Sequence, residues 1–252
     1  MRIVACLCGE KLEADGADAL PDAYWGHVAE AHAGLKISDQ RRADADAALR
    51  RTGGWDGQPS PLGDIDILPL RPDLKDDYLA FFDGDAFPDN PAWASCYCLS
   101  YAQNLPPSEF EEQGAAHNRA ARASQIDRGE ASGVLAYSDG RIVGWCHAAP
   151  RTSLPMLDRY PEFAADDPDR TAAIVCFVVP PRYRGQGLAR KLLDGACAMM
   201  RDRGFAEMHA YPPRQDRPTA AAIYHGRMKM YQEAGFEHLR DGSQYAVVRR
   251  RL

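Results

Sequence analysis

The sequence predicts an α/β (α+β) protein: a mixed sheet flanked by helices, preceded by a small unit that carries cysteines and histidines. Three observations predict this. Strand and helix signals alternate from Asp64 to the C-terminus. Residues 171–179 form a continuous apolar run, as a strand buried on both faces requires. A glycine-rich turn and then a strongly amphipathic helix follow that run.

Residues 64–70 (DIDILPL) read as a short strand, and residues 72–82 as a helix opened by a proline in its first turn. Residues 108–128 read as a polar, alanine-rich helix, with Ser108 and Glu111 placed for a capping box. GVLAYSDGRIVGWCHAAP reads as a hairpin turning at Ser138-Asp139-Gly140. After the apolar strand come a helix, a strand at 206–211, a further helix and a final strand at 244–249.

Ahead of this lie about forty residues with their own character, and residues 41–63 are the expected linker. The linker begins with a short helical piece and becomes a Gly, Pro and Ser cluster from Thr52. The expected division is therefore 1–40, 41–63 and 64–252. There is no internal repeat.

Hydrophobic residues at 45% and charged residues at 26% of 252 exclude global disorder. A net charge of -6 disfavours nucleic-acid binding, which needs a basic face. No apolar run approaches the ~18 residues that cross a bilayer, and the N-terminal apolar stretch is too short for a secretion signal. Seven cysteines, an odd number with several inside apolar runs, fit reduced thiols and a cytoplasmic location.

The turn after the apolar strand is the most informative stretch. Pro180-Pro181 ends the strand, and Arg182, Arg184, Gly185 and Gly187 follow before Leu188, Leu192, Leu193, Ala196, Met199 and Met200 recur at helical spacing. Glycines at a strand-to-helix turn let backbone N–H groups converge on an anion, and the helix N-terminus adds partial positive charge. The ligand expected here is a diphosphate. Gly185-Gln186-Gly187-Leu188-Ala189-Arg190 lacks the third glycine of a dinucleotide fingerprint, and no Lys-Ser or Lys-Thr pair completes a nucleotide P-loop.

Arg182-Tyr183-Arg184-Gly185-Gln186-Gly187 resembles the Arg/Gln-x-x-Gly-x-Gly/Ala signature of the GNAT superfamily of N-acetyltransferases. Val179-Pro180 before it and Leu188-Ala189 after it also look like that family. Residues 220–236 resemble its late helix, which ends in Tyr-x-x-x-Gly-Phe, here Tyr231, Gly235 and Phe236. The resemblance implies a mostly antiparallel central sheet and acetyl-CoA as cosubstrate. It implies that Arg182, Arg184, Gly185, Gln186, Gly187, Leu188 and Ala189 hold the pyrophosphate. Phe177, Val178 and Val179 would line the pantetheine arm. Tyr231 would protonate the leaving thiolate, with Tyr224 as the alternative, and the backbone N–H of Val178 would receive the oxyanion.

The general base stays open. Residues 172–179 contain no carboxylate, which leaves His209, alternating with Glu207 on the next strand, His147, or a water chain. Residues 93–101 (WASCYCLSY) read as a strand whose Cys96 and Cys98 share a face, with Cys146 on the hairpin nearby. In the N-terminal unit, Cys6 and Cys8 precede a helix at 22–33 carrying His27 and His32. These four can form a Cys2His2 zinc site, and so small a unit needs a staple. The alternative is a helical extension with exposed histidines.

The functional expectation is direct acetyl transfer to a primary amine, of a small molecule in the first instance. A non-catalytic acyl-CoA sensor or a zinc-tethered interaction protein is the alternative. No nucleic-acid or membrane partner is expected, and an oligomer is open.

Overall fold

The computed structural model describes residues 1–6, 8–215 and 221–252. Its centre is a seven-stranded sheet in the order β3-β4-β5-β6-β7-β9-β8. The strands are β3 (Asp66–Pro69), β4 (Val134–Ser138), β5 (Arg141–Pro150), β6 (Thr171–Val178), β7 (Glu207–Ala210), β8 (Glu237–Asp241) and β9 (Ala246–Arg251). All neighbours are antiparallel except β6 and β7. The mixed, mostly antiparallel sheet is thus as expected. Strand β8 was not foreseen, because EHLRD is a polar edge strand without alternation.

Three helices cover the sheet. On one face lies α5 (Leu188–Asp202), which buries Leu188, Leu192, Leu193, Ala196 and Met200 against Val134, Val143, Cys146 and Ile174. On the other lie α3 (Lys75–Asp83) and α4 (Pro107–Asp127), meeting the sheet through Tyr78, Phe82 and Ile126 around Trp145. The Tyr78 and Trp145 rings contact edge-on at 5.1 Å. The expected helix at 72–82 opens as a 3-10 turn at Pro72–Leu74 before α3 takes over. A third cluster, Leu154, Leu157 and Phe163 with Val175, Tyr211 and Val247, closes the β7 and β9 side.

Strand β6 pairs with β7 only from Thr171 to Ile174. Beyond that it continues beside β5 alone, as far as Trp145 opposite Val178. The two parallel strands therefore splay, and the second half of β6 has one edge that no strand covers, its Phe177 N–H meeting the Tyr224 carbonyl instead.

Several expectations are corrected. The Ser108–Glu111 capping box does not form. Pro107 takes the first helical position, so Ser108 lies inside the helix, and Glu111 turns instead to Arg41 at 2.5 Å. Residues 93–101 are not a strand: Pro91–Trp93 and Ser100–Ala102 are 3-10 turns, and Tyr97 and Cys98 have φ of 46° and 52°. The late helix is short, α6 (Met228–Glu233), with Gly226 at φ 84° ahead of it. Part of that expected helix, 220, lies outside the described residues.

The N-terminal unit pairs a hairpin of β1 (Arg2–Ala5) and β2 (Lys11–Ala14) with α1 (Leu20–Ala31). Residues 41–63 are no free linker. Most of their first half belongs to α2 (Asp39–Thr52), capped by the Ser38 side chain and by Gly53 in the left-handed region. Helix α2 meets α4 at its Gly114 kink (φ 73°), where the Asp44 carboxylate accepts the N–H of Ala115 at 2.9 Å. The remainder, 53–63, is a strap across the sheet's end: Trp55 pairs with Ile3, and Ser60 donates to the Arg182 carbonyl at 2.9 Å. Hydrogen bonds that leave no slack are what an apolar-pattern reading of a Gly/Pro-rich stretch misses.

Candidate coenzyme cleft and metal centre

A cleft of about 440 Å³ opens where β6 and β7 part. Its walls are the end of β6, the loop after it, and the segment around Tyr224 and Met230, with Phe87 and Trp93 facing them. Gly185 (φ 77°) and Gly187 (φ 80°) are in the left-handed region, and a Cβ on either would meet open space. The chain here needs glycine for its backbone path, and the path leaves room for a ligand. Gly187 caps α5 without any side-chain cap, so the first-turn N–H groups of a fifteen-residue helix face that room.

Of the expected coenzyme residues, Phe177, Val178, Val179, Arg184, Gly185, Gly187, Leu188, Ala189 and Tyr224 line the cleft. Arg182, Gln186 and Tyr231 do not. The Arg182 carbonyl holds the strap, and the Gln186 side chain bridges it, donating to the Ser60 carbonyl at 2.8 Å and accepting from Leu62 N–H at 3.3 Å. The signature pattern also fits two residues later, as Arg184-Gly185-Gln186-Gly187-Leu188-Ala189. That frame puts its arginine on the cleft, which the Arg182 frame does not. The Arg184 guanidinium donates to the Val179 carbonyl at 2.8 Å and pairs with the buried Asp89 carboxylate. It therefore shapes the loop rather than reaching outward.

The two tyrosines separate. Tyr224 lines the cleft, edge-on to Trp93 at 4.9 Å, and its hydroxyl lies 3.4 Å from that of Tyr101. Burial pushes its phenol above the usual range. Tyr231 is fully buried and donates to the His225 carbonyl at 2.6 Å. It sits just beneath Gly226, a cleft residue on which a Cβ would come within 3.1 Å of the Tyr231 hydroxyl.

Phe177 donates its N–H to the Tyr224 carbonyl at 2.6 Å, across the splay. Strand N–H groups alternate in direction, so the N–H of Val178 is turned toward β5. Val178 is thereby corrected as the oxyanion donor. His209 lies on β7 opposite Ala173, outside the cleft lining and 3.4 Å from the Glu207 carboxylate. Burial lowers its pKa, against the pull of Glu207. His147 faces Cys176 across β5 and β6. Burial lowers its pKa too, with the Cys98 thiol opposing. Cys98 keeps company with Cys176 and His147 as well as with Cys96. Burial alone pushes its thiol up, and the neighbouring Cys176 and His147 side chains outweigh that and bring it down. Cys176, not singled out in the sequence, lines the cleft; among the described residues no carboxylate does.

In the N-terminal unit, donor atoms of Cys6, Cys8, His27 and His32 all lie within 4.8 Å of one another. Cys6 Sγ is 3.3 Å from His32 Nε2, and Cys8 Sγ is 3.3 Å from His27 Nε2. A zinc tetrahedron with bonds of ~2.0–2.3 Å has edges of roughly 3.5 Å, so two thiols and two imidazole nitrogens at these separations fit the ion. Cys6 follows the end of β1, a tight turn closed by Gly9 N–H to the Cys6 carbonyl brings Cys8 round, and the histidines sit on and just past the last turns of α1.

A model of the acetyltransferase (GNAT) family matches residues 93–236, and the chain belongs to that family. Among solved structures, the fold is similar to PaiA N-acetyltransferase from Thermoplasma acidophilum in complex with coenzyme A (14% identity, TM-score 0.45, covering 75% of this chain and 100% of that one). It is similar too to an N-acetyltransferase from Staphylococcus aureus (13%, 0.42, 75% and 98%). An acetyltransferase from Thermus thermophilus also matches (17%, 0.43, 77% and 100%). No curated protein matches the sequence.

Proposed function

We propose that the chain is an acetyl-CoA-dependent N-acetyltransferase that moves the acetyl group directly to a primary amine of a small molecule. The observation that supports it most is the open backbone cradle at Gly185 and Gly187, continuous with the edge of β6 that no strand covers beyond Ile174. The cradle and the uncapped N-terminus of α5 receive the pyrophosphate, and the edge from Phe177 to Val179 receives the pantetheine arm.

Acyl transfer needs a donor for the oxyanion, a proton for the departing thiolate and an acceptor for the amine proton. The Phe177 N–H is the oxyanion donor, exchanging the Tyr224 carbonyl for the thioester oxygen. Tyr231 is the acid, reaching the sulfur past the bare Gly226. With no carboxylate among the described residues of the cleft and His209 outside it, the amine proton leaves through water. Cys6, Cys8, His27 and His32 would hold zinc as a closed set of four protein ligands, a structural rather than catalytic arrangement. Seven free thiols suit the cytoplasm.

A second reading, a non-catalytic acyl-CoA sensor, draws on the engaged Tyr231 hydroxyl and the lack of a carboxylate on the described cleft wall. Calorimetric titration with acetyl-CoA, followed by a thiol-release screen over primary amines, separates the two. Binding without release of coenzyme A for any amine selects the sensor. No binding defeats both.

A further inference from the structure

We infer that the Cys/His centre is a working part of the coenzyme site: zinc on Cys6, Cys8, His27 and His32 holds the phosphate loop in shape, and Asp89 is the positioning residue through which it acts. This rests on the zinc and coenzyme A readings above.

The connection is short. Ala5 immediately precedes the ligand Cys6 and donates its N–H to the Asp89 carbonyl at 2.8 Å. The Asp89 side chain is buried, with the residue 7% exposed, and its carboxylate takes both terminal nitrogens of Arg184, one of them at 3.2 Å. Arg184 in turn donates to the Val179 carbonyl at 2.8 Å, tying the loop to the end of β6. From metal ligand to loop, the path is one peptide unit, one hydrogen bond and one ion pair.

A second tether runs beside it. Ile3 and Trp55 exchange both backbone hydrogen bonds, at 2.8 and 2.9 Å. The strap then reaches Ser60, which donates to the Arg182 carbonyl and accepts from Gln186. Residues 182, 184 and 186 are thus each held from the N-terminal side, while Gly185 and Gly187 between and beyond them stay open to the cleft.

Both tethers start on β1, which is backed by β2, by the burial of Val4 and by the metal ligands that follow it. It is one strand of a two-stranded hairpin with four residues on each side, and such a hairpin is marginal alone. The unit's buried apolar core is five side chains, Val4, Leu20, Tyr24, Val28 and Leu49. An ion on these four ligands would cross-link the hairpin turn to the end of α1. Losing it loosens β1, and with β1 the Asp89–Arg184 pair.

The test uses the full chain, zinc-loaded, stripped by a chelator, and reloaded with zinc, titrated with coenzyme A by calorimetry. Stripping is expected to weaken coenzyme A by about tenfold or more, with full recovery on reloading. The KM for acetyl-CoA rises likewise while kcat is kept. Asp89→Asn, which touches no metal ligand, keeps its zinc yet weakens coenzyme A, and stripping it costs less than stripping the wild type because only the strap tether is left to lose. Zinc that binds but leaves coenzyme A affinity unchanged overturns the coupling and spares the metal reading. No zinc in the purified or reloaded chain overturns the metal reading and this inference together. Absence of coenzyme A binding even with zinc bound defeats the coenzyme reading instead. Losses that add up in stripped Asp89→Asn overturn the role of Asp89.

Discussion

Phe177 and Tyr224 are joined backbone to backbone across the splay, at 2.6 Å, on the edge of β6 that the coenzyme's arm needs. The Tyr224 ring faces the cleft while the Tyr231 hydroxyl is turned beneath Gly226. Tyr231→Phe should therefore lower kcat by about 10- to 1000-fold as a lost proton donor, with coenzyme A affinity nearly intact. Tyr224→Phe should alter coenzyme A affinity and spare kcat. Steady-state kinetics with calorimetry on both variants checks this, and the reverse pattern would make Tyr224 the acid.

Gly187→Glu should weaken coenzyme A by about a hundredfold or more. The φ of 80° strains any side chain there, and a carboxylate would stand where the anion binds. Titration of the variant checks it. An unchanged affinity would move the pyrophosphate elsewhere.

Metal analysis should find one zinc per chain, and Cys8→Ser should lose it. Cys8 is exposed, so the change leaves no buried void. Its unfolding temperature should fall by at least ~2–4 °C, the shift that 1 kcal/mol makes in a chain of this size. Wild type without zinc would end the idea.

His147 and His209 both have pKa values lowered by burial, so the folded chain keeps them neutral where the unfolded chain protonates them. Below about pH 6.5 the unfolded state binds more protons, and stability falls with pH through that value toward the lower folded pKa. Above about pH 7 these two groups contribute no slope. Denaturant unfolding between about pH 5 and 8 should show the fall, and His209→Gln should flatten part of it. A fall of equal size in the double variant with His147→Gln would assign it to other groups.

The sequence shows the sheet's centre well, because α5 and β6 each carry a long periodic or continuous apolar run that packing then obeys. The cradle glycines were legible for a related reason: a strand-to-helix turn that must pass through left-handed backbone calls for glycine at those points. What stayed hidden depends on partners far along the chain. Asp89 has no local signal, since its importance comes from Ala5 on one side and Arg184 on the other. Residues 93–101 read as strand from their apolar content, yet the left-handed backbone at Tyr97 and Cys98 coils them. That coil brings Cys98 to Cys176 and His147, and no spacing rule would have found it. The direction of the Val178 N–H is likewise set by register with β5, a property of the pair rather than of the strand.

Two of the arginines around the cradle are already neutralised, Arg184 by Asp89 and Arg190 by Asp194. Fixed backbone dipoles at close range then supply a larger share of the attraction for an anion. Such dipoles act within a few ångströms, well inside the ~8 Å over which physiological ionic strength screens free charges. Up to physiological ionic strength, the cleft's hold on its ligand should therefore change less with added salt than that of a site built on free arginines.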